Sequence, residues 1–324
     1  MARALSLEAL YETLGTAVAA ESLSWPSGTP FVVVELDSRI AQPRDAPPRA
    51  PNCPVLAIAP AGAPVPDVVD VVAGDADSLD VVVAAIRRHP VAASVLVHVL
   101  RHNAHASTDD GLLAESLAYS TLQHGAEFRE WLATRTARNV TPPTRPLVTT
   151  QREADTLVVK LAHPEHRNAY SQAMRDALCE ALQVAEADDS IRKVVLRGEG
   201  PAFCSGGDLG EFGSANDAAV AHVSRVTRSA AALLARLAPR CVAELHGACI
   251  GAGIELPAYA HHVRARSDAF FQLPEHAMGL VPGAGGTVSI TRRIGRRRTA
   301  WLALANARLD AATALAWGLV DEVY

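Results

Sequence analysis

The sequence lacks an excess of basic charge, a long apolar run and a signal-peptide pattern. Its 324 residues carry 30 Lys and Arg against 35 Asp and Glu, a formal net charge of −5, so electrostatics give no reason to expect a nucleic acid or an acidic membrane as partner. No apolar run is long enough to span a bilayer, and Glu8 stands where a signal peptide would have its apolar core. We therefore expect no nucleic-acid or membrane partner and a cytoplasmic location.

Cysteine and aromatic residues are also scarce. The five cysteines form no CxxC pair, and their odd number argues against a disulfide framework, which fits a reducing compartment. Only six Phe, five Tyr and four Trp are present, so an aromatic-lined pocket is neither required nor excluded. We predict no metal site.

The length predicts about two domains, at roughly 100–200 residues each. In the first half, helix patterns cover residues 2–22, 78–88 and 112–136, and strand patterns cover 31–36, 55–58, 68–72 and 94–100, with a proline-rich loop at 42–54. This alternation favours an α/β layer with parallel strands. We predict an N-terminal α/β domain over residues 1–138 that ends in a long helix, and a linker over 139–150.

A second α/β unit is predicted over residues 151–324. Its strand patterns cover 156–161, 193–196, 241–245 and 318–324, and its helix patterns cover 171–187, 218–237, 287–294, 298–305 and 311–317, with Ser171 as an N-cap. The order of a strand, a helix and a strand at 156–196 is similar to that at 32–101. One interpretation is that the N-terminal domain is a degenerate or rearranged relative of the second; chance similarity of α/β units is the other.

The main candidate for a functional site is the stretch 246–256, in which Gly247, Gly251 and Gly253 separate a strand pattern from a helix pattern. Glycine permits a close backbone approach, and the first N–H groups of a helix have no intrahelical partner. Such a turn suits an anion, or an oxygen that becomes anionic during a reaction. Glu255, in the first turn of the helix, is either a catalytic carboxylate or a favourable charge at a helix start.

A second glycine turn and a second carboxylate extend this pattern. Residues 200–209 again follow a strand and present N–H groups around Gly206 and Gly207. Two donors aimed at one developing oxyanion are each worth about 2.7–4 kcal/mol of barrier, although two ordinary tight turns would look the same. Glu275 precedes another glycine-rich loop at 283–286. Glu255 and Glu275 could hold a water between them; otherwise they are solvated surface residues.

Four segments taken together resemble the enoyl-CoA hydratase/isomerase (crotonase) superfamily over about residues 151–324. They are residues 202–209 (Ala-Phe-Cys-Ser-Gly-Gly-Asp-Leu), 247–256 (Gly-Ala-Cys-Ile-Gly-Ala-Gly-Ile-Glu-Leu), 273–275 with 279–287, and 311–323. The resemblance implies a crotonase-like spiral of ββα units and an acyl-CoA thioester as substrate. It also implies coenzyme A as part of that substrate with no tightly bound cofactor, a homotrimer or dimer of trimers, and a role in fatty acid metabolism.

The resemblance also implies roles for individual residues. The N–H groups of Gly207 and Ala252 would hold the thioester oxygen, while Glu255 and Glu275 would be the acid and base that hydrate a trans-2-enoyl-CoA to a 3-hydroxyacyl-CoA. The implied substrate-binding residues are Arg167, Ala169, Asp208, Leu209, Gly251 and Gly283, with Arg167 suited to the CoA phosphates through its fork of donors.

Departures from the family pattern keep other functions open. Pro257 falls inside the helix that carries Glu255 and is expected to bend it. Isomerisation of the double bond, hydrolysis of the thioester and a non-catalytic partner subunit remain alternatives.

The family usually continues past the last strand into a helical segment, whereas this sequence ends at Tyr324. Residues 113–135 resemble those final helices. We expect this N-terminal segment to do the work of the helical segment.

Overall fold

The computed structural model describes residues 4–36, 50–59, 64–136 and 145–324. Its α-helices, α1 to α12 in chain order, are Leu7–Leu14, Ala17–Glu21, Ala76–Arg88, Pro90–Asn103, Thr108–Gln123, Ala126–Ala133, Gln172–Ala187, Ala218–Thr227, Ala230–Leu237, Ala252–Glu255, Gly286–Ala305 and Ala311–Trp317. Its strands, β1 to β13, are Leu5–Ser6, Val32–Glu35, Val55–Ile58, Val71–Ala73, Val148–Glu153, Thr156–Leu161, Lys193–Gly198, Cys241–Leu245, Ala248–Ile250, His262–Ala265, Phe270–Gln272, Leu309–Asp310 and Glu322–Val323.

The strands form three sheets. The first half makes a parallel sheet in the order β1-β2-β3-β4. The second half makes a six-stranded sheet in the order β13-β10-β8-β7-β6-β5, in which the edge strand β5 is antiparallel and the other pairs are parallel. A small third sheet, β12-β11-β9, lies beside the glycine turn after β8. The mixed α/β architecture predicted from the sequence is confirmed.

One apolar core joins the two halves of the chain. Leu96 and Leu100 of α4 and Phe128 of α6 are at most 2% exposed and belong to the same cluster as the side chains of the six-stranded sheet. A separate, smaller cluster lies under α1. The N-terminal segment therefore shares its core with residues 145–324, and the domain boundaries at 138 and 151 stay predictions.

A buried ion-pair network reinforces this junction. Asp70, which is 2% exposed and precedes β4, binds Arg101 of α4 at 2.5 Å and Arg296 of α11 at 3.1 Å. Asp70 also accepts the N–H of Val55 at 2.9 Å. Two guanidinium groups and a backbone donor satisfy the carboxylate, so burying it is not penalised as an unpaired charge would be.

The prediction of a strand at 94–100 is wrong, because this apolar run lies inside α4. A short, mostly apolar run of this kind fits a buried strand and a buried helix equally well. Pro90 begins the helix, and the carboxylate of Glu127 accepts the N–H groups of Val91 and Ala92 at 2.8 and 2.9 Å. This cap comes from a distant segment, so local sequence did not reveal it. The similarity of the two halves, which required a strand here, fails with it.

Three predicted helices are interrupted. The helix at 2–22 begins only at Leu7 and restarts after Thr16, the helix at 112–136 is divided into α5 and α6 around Gly125, and the helix at 218–237 is divided into α8 and α9. The two helices at 287–305 form α11 with a break at Gly295. Most of the predicted proline-rich loop, the start of the predicted linker and residues 1–3 lie outside the described residues.

Within the described parts of the chain, no single helix is long and apolar enough to cross a membrane. The pair α3 and α4 meets those criteria of length and composition only when taken together, and it bends by 110°.

Candidate active site

The two glycine turns lie side by side. Cys204 donates its N–H to the carbonyl of Ala248 at 3.1 Å, and Ile250 donates to the carbonyl of Cys204 at 3.0 Å. In the described residues, no acceptor takes the N–H of Gly207 or of Ala252, and both residues line one cavity of about 930 Å³. Ala252 begins α10, where a helix leaves its first N–H groups unpaired. The cavity thus has two free backbone donors in its wall.

Glu255 and Glu275 face each other across the same cavity. Gly251 adopts φ 50°, and a Cβ on it would lie 2.5 Å from Oε1 of Glu275 and 3.7 Å from Oε1 of Glu255. The two side chains are 2% and 8% exposed, and no Lys, Arg or His among the described residues pairs with either. Oε2 of Glu275 is buried without a hydrogen-bond partner. The carboxyl groups are therefore close, unneutralised and shielded from water.

A third carboxyl group, Glu115 of α5, reaches this site from the N-terminal segment. The four N–H groups from Ala284 to Thr287 open α11 and are taken alternately by two glutamates. Oε2 of Glu255 accepts from Ala284 at 2.8 Å and from Gly286 at 2.9 Å. Glu115 accepts from Gly285 at 2.6 Å through Oε1 and from Thr287 at 2.9 Å through Oε2. The orphan donors at the start of α11 are thus satisfied by both halves of the chain.

Burial raises the pKa of all three carboxyl groups. It raises the pKa of Glu275 to about 8 and that of Glu115 to about 7. Burial and the neighbouring carboxyl groups raise the pKa of Glu255 well above its ordinary value, against the lowering effect of its N–H donors. Because adjacent like charges in a dry site do not ionise together, the Glu255 and Glu275 pair holds a proton at neutral pH.

The raised pKa of Glu115 predicts a pH-dependent stability. The folded protein binds this proton more tightly than the unfolded chain, so stability is lost as pH rises from the ordinary glutamate pKa of 4.5 to about 7. Between pH 4.5 and 8, we expect this group to lower the free energy of unfolding by about 3 kcal/mol. Glu115→Gln should remove this group's contribution to the pH dependence of unfolding. It should also lower the free energy of unfolding at every pH, because both carboxyl oxygens accept N–H groups and glutamine has only one carbonyl oxygen. Urea unfolding at several pH values measures both effects.

The matched control is Glu130→Gln, at an exposed glutamate of α6. It should leave the pH dependence of unfolding as in the wild type. Equal slopes for wild type and Glu115→Gln would contradict the prediction.

A family model described as enoyl-CoA hydratase/isomerase matches residues 151–324, which include both glycine turns and both central glutamates. The chain belongs to the enoyl-CoA hydratase/isomerase family. It is therefore an acyl-CoA enzyme of the crotonase superfamily, as the resemblance in its motifs implied.

Curated relatives and solved structures agree with this family. The chain is 33% identical to 1,2-epoxyphenylacetyl-CoA isomerase of Escherichia coli over 53% of this chain and 67% of that protein. It is 34% identical to 2,3-dehydroadipyl-CoA hydratase of the same species, with the same coverage. The crystal structure of enoyl-CoA hydratase from Thermoplasma volcanium superposes with a TM-score of 0.50 and 33% identity over 56% of this chain and 72% of the other. These relatives carry different reaction names, so the family does not specify the reaction.

The structure brings together most of the residues that the family resemblance implied. Gly207, Ala252, Glu255 and Glu275 line the cavity, as do Asp208 and Gly283. Gly251 lies behind the carboxylates, with its N–H donated to Gln272 at 2.9 Å. The cavity wall does not include Arg167, Ala169 or Leu209; Arg167 and Leu209 are exposed. A role for these three in binding stays a prediction.

The sequence predicted a helix bent at Pro257, whereas α10 ends at Glu255 after a single turn and the chain bends into a 3₁₀ turn over Pro257–Tyr259. The bend does not remove Glu255 from the site. Ser289 Oγ donates to the carbonyl of Glu255 at 2.6 Å, and the Tyr259 hydroxyl donates to the carbonyl of Gly285 at 3.0 Å. Contacts from the bent segment to α11 thus hold Glu255 in place.

The sequence did not single out several residues of the cavity wall, among them Glu115, Tyr119 and Arg225. Glu115 and Tyr119 lie in the segment whose resemblance to the family's final helices was noted, but no local pattern distinguishes them from solvated helix residues. Burial raises the pKa of Cys204 to about 12, so this thiol stays protonated.

Proposed function

We propose that the protein hydrates a trans-2-enoyl-CoA to a 3-hydroxyacyl-CoA. The proposal rests on the pair of buried carboxyl groups, Glu255 and Glu275, whose Oε1 atoms both lie near Gly251. They line a cavity whose wall also has two unpaired backbone donors. Hydration needs a base that takes a proton from water, an acid that gives a proton to the α carbon, and donors that bind the enolate oxygen. A pair of carboxyl groups that holds one proton supplies both the base and the acid.

The hydrogen bonds of the two glutamates divide these roles. Two N–H donors at Oε2 favour the carboxylate form of Glu255 and oppose the effect of burial, which raises its pKa. Oε1 is left to accept a proton from water. Glu275 has an oxygen without any partner, which favours its protonated form and makes it the acid. The hydroxide adds to the β carbon, electrons pass to the thioester oxygen, and the α carbon takes the proton of Glu275.

The free N–H groups of Gly207 and Ala252 would stabilise the intermediate. As the thioester carbonyl becomes an enolate, its oxygen gains charge, and fixed donors in a site shielded from water stabilise that charge more than water would. The coenzyme A portion is part of the substrate in this proposal, and we place its phosphates near the exposed Arg167. No step requires another cofactor.

The test is incubation with a panel of trans-2-enoyl-CoA thioesters, followed by loss of the conjugated absorbance and by product mass. In deuterium oxide, we expect the product to be a 3-hydroxyacyl-CoA with one deuterium at the α carbon. Water should add to one face of the double bond only. Conversion of 3-enoyl-CoA without hydration would favour isomerisation. Release of free CoA would favour hydrolysis, and the absence of any turnover would favour a partner subunit.

A further inference from the structure

Arg225 differs from the other arginines that line the cavity. The wall contains Arg175, Arg225, Arg228 and Arg236. Three of these have carboxylate partners: Arg175 pairs with Asp176 at 2.9 Å, Arg228 with Asp176 at 3.4 Å and Glu180 at 3.3 Å, and Arg236 with Glu186. Within the described residues, no carboxylate lies within 4.0 Å of Arg225. Arg225 therefore has no ion-pair partner in contact among the described residues, and Glu115 acts on its charge only from a greater distance.

Neutral groups of α5 hold the Arg225 guanidinium in position. It lies 4.7 Å from the centroid of the Tyr119 ring. Nη1 donates to the hydroxyl of Ser120 at 2.8 Å, and Nη2 donates to the side-chain oxygen of Gln123 at 3.3 Å. These contacts orient a cation without cancelling its charge. Nε has no acceptor among the described residues, so the group keeps a donor for a ligand.

The nearby acid is already engaged. Both oxygens of Glu115 accept N–H groups at the start of α11, and its raised pKa, about 7, shows how little the site favours its ionised form. Burial also lowers the pKa of Arg225 from its ordinary value. An anion that enters the cavity would therefore meet a partly desolvated cation that has no competing partner.

The Tyr119 ring lies between Arg225 and Gly283, next to the carboxyl groups of the site. A Cβ on Gly283 would lie 2.4 Å from the Tyr119 ring. Gly283 directly precedes Ala284, whose N–H group donates to Glu255. On its other side, the Tyr119 ring is covered by the Arg225 guanidinium. The phosphates of CoA are at the far end of the long pantetheine arm, whereas the end of a short acyl chain would lie this close to the thioester.

We propose that Arg225 selects acyl groups that end in a carboxylate. The substrates would be CoA thioesters of dicarboxylic acids, with the free carboxylate bound by the guanidinium and the chain lying along the Tyr119 ring. This inference rests on the proposed function for the site, but it concerns binding and is measured without turnover.

The test measures equilibrium binding by calorimetry of two matched pairs, glutaryl-CoA with pentanoyl-CoA and adipyl-CoA with hexanoyl-CoA. We expect the wild type to bind the better carboxylate-ended thioester roughly 10- to 100-fold more tightly than its neutral match. Arg225→Gln should abolish this preference and change the affinity for the neutral thioesters less than about twofold. Arg225→Lys should retain part of the preference. Arg228→Gln, which alters an arginine with its own carboxylate partners, should retain all of it.

Equal binding of both members of each pair by the wild type would overturn the proposal. An equal loss for both members in Arg225→Gln would overturn it as well, since that result indicates a contact to CoA phosphate or a structural role. Failure of the proposed reaction has a different signature, namely an intact carboxylate preference with no hydration of any enoyl-CoA. If none of the four thioesters binds, the proposed carboxylate preference is overturned, whereas the proposed reaction is decided by the enoyl-CoA panel.

Discussion

Glu275→Gln is expected to lower kcat for enoyl-CoA hydration by about 100- to 10,000-fold, the usual contribution of a positioned acid or base. Glutamine keeps the size of the side chain but cannot give a proton to the α carbon. KM should change little, because the binding surface is the same. The measurement is steady-state hydration followed by the loss of conjugated absorbance.

Stability provides a second measurement for the same variant. Because the folded protein raises the pKa of Glu275 to about 8, ionisation of this group costs stability as pH rises towards that value. Glu275→Gln should therefore become more stable relative to the wild type as the pH is raised. This behaviour distinguishes a catalytic loss from misfolding.

Two further variants complete the comparison. Glu255→Gln should cause a similar loss of kcat while folding normally, because one carbonyl oxygen can accept both N–H groups that Oε2 now accepts. Glu186→Gln, at a surface glutamate paired with Arg236, is the control and should hydrate at the wild-type rate. Hydration by Glu275→Gln within about tenfold of the wild type would contradict the assigned role.

Removal of residues 1–144 is expected to leave a chain that does not fold to soluble protein. Leu96, Leu100 and Phe128 are fully buried in the core that both halves share. Each such side chain contributes about 1.5–3 kcal/mol, and the total stability of a domain is only about 5–15 kcal/mol. The truncated chain would also lose Glu115, which satisfies two buried donors at the start of α11. Soluble yield, gel filtration and near-ultraviolet circular dichroism measure the outcome.

The control breaks the chain without removing anything. Residues 1–144 and 145–324, co-expressed as two separate chains, should co-elute and retain hydration. A well-folded, active trimer formed by residues 145–324 alone would refute the expectation that the N-terminal segment does the work of the family's final helices. The contacts of α5 and α6 with the cavity and the core support that expectation.

The sequence alone predicted the parts of this protein that depend on neighbouring residues. Ser171 caps α7 by accepting the N–H of Met174, and the helix predicted at 311–317 has those bounds in the structure. The glycine turns could be located because glycine is the residue that adopts positive φ angles and permits close backbone approaches most readily. The two glutamates could be proposed because their positions relative to these turns resemble those in a known family.

Only the tertiary structure shows that the two halves of the chain share one core and one site. Helix α4 was mistaken for a strand because Glu127 caps it from a distant part of the chain. Glu115 and Arg225 have ordinary helical neighbours in the sequence, and they differ from solvated residues only through what folding places around them. Thus the sequence determined the family and the chemistry of the two turns, because these follow from local backbone geometry and residue type. The third carboxyl group, the position of Arg225 in the cavity wall and the shared core depend on burial and long-range contacts, which only the folded chain provides.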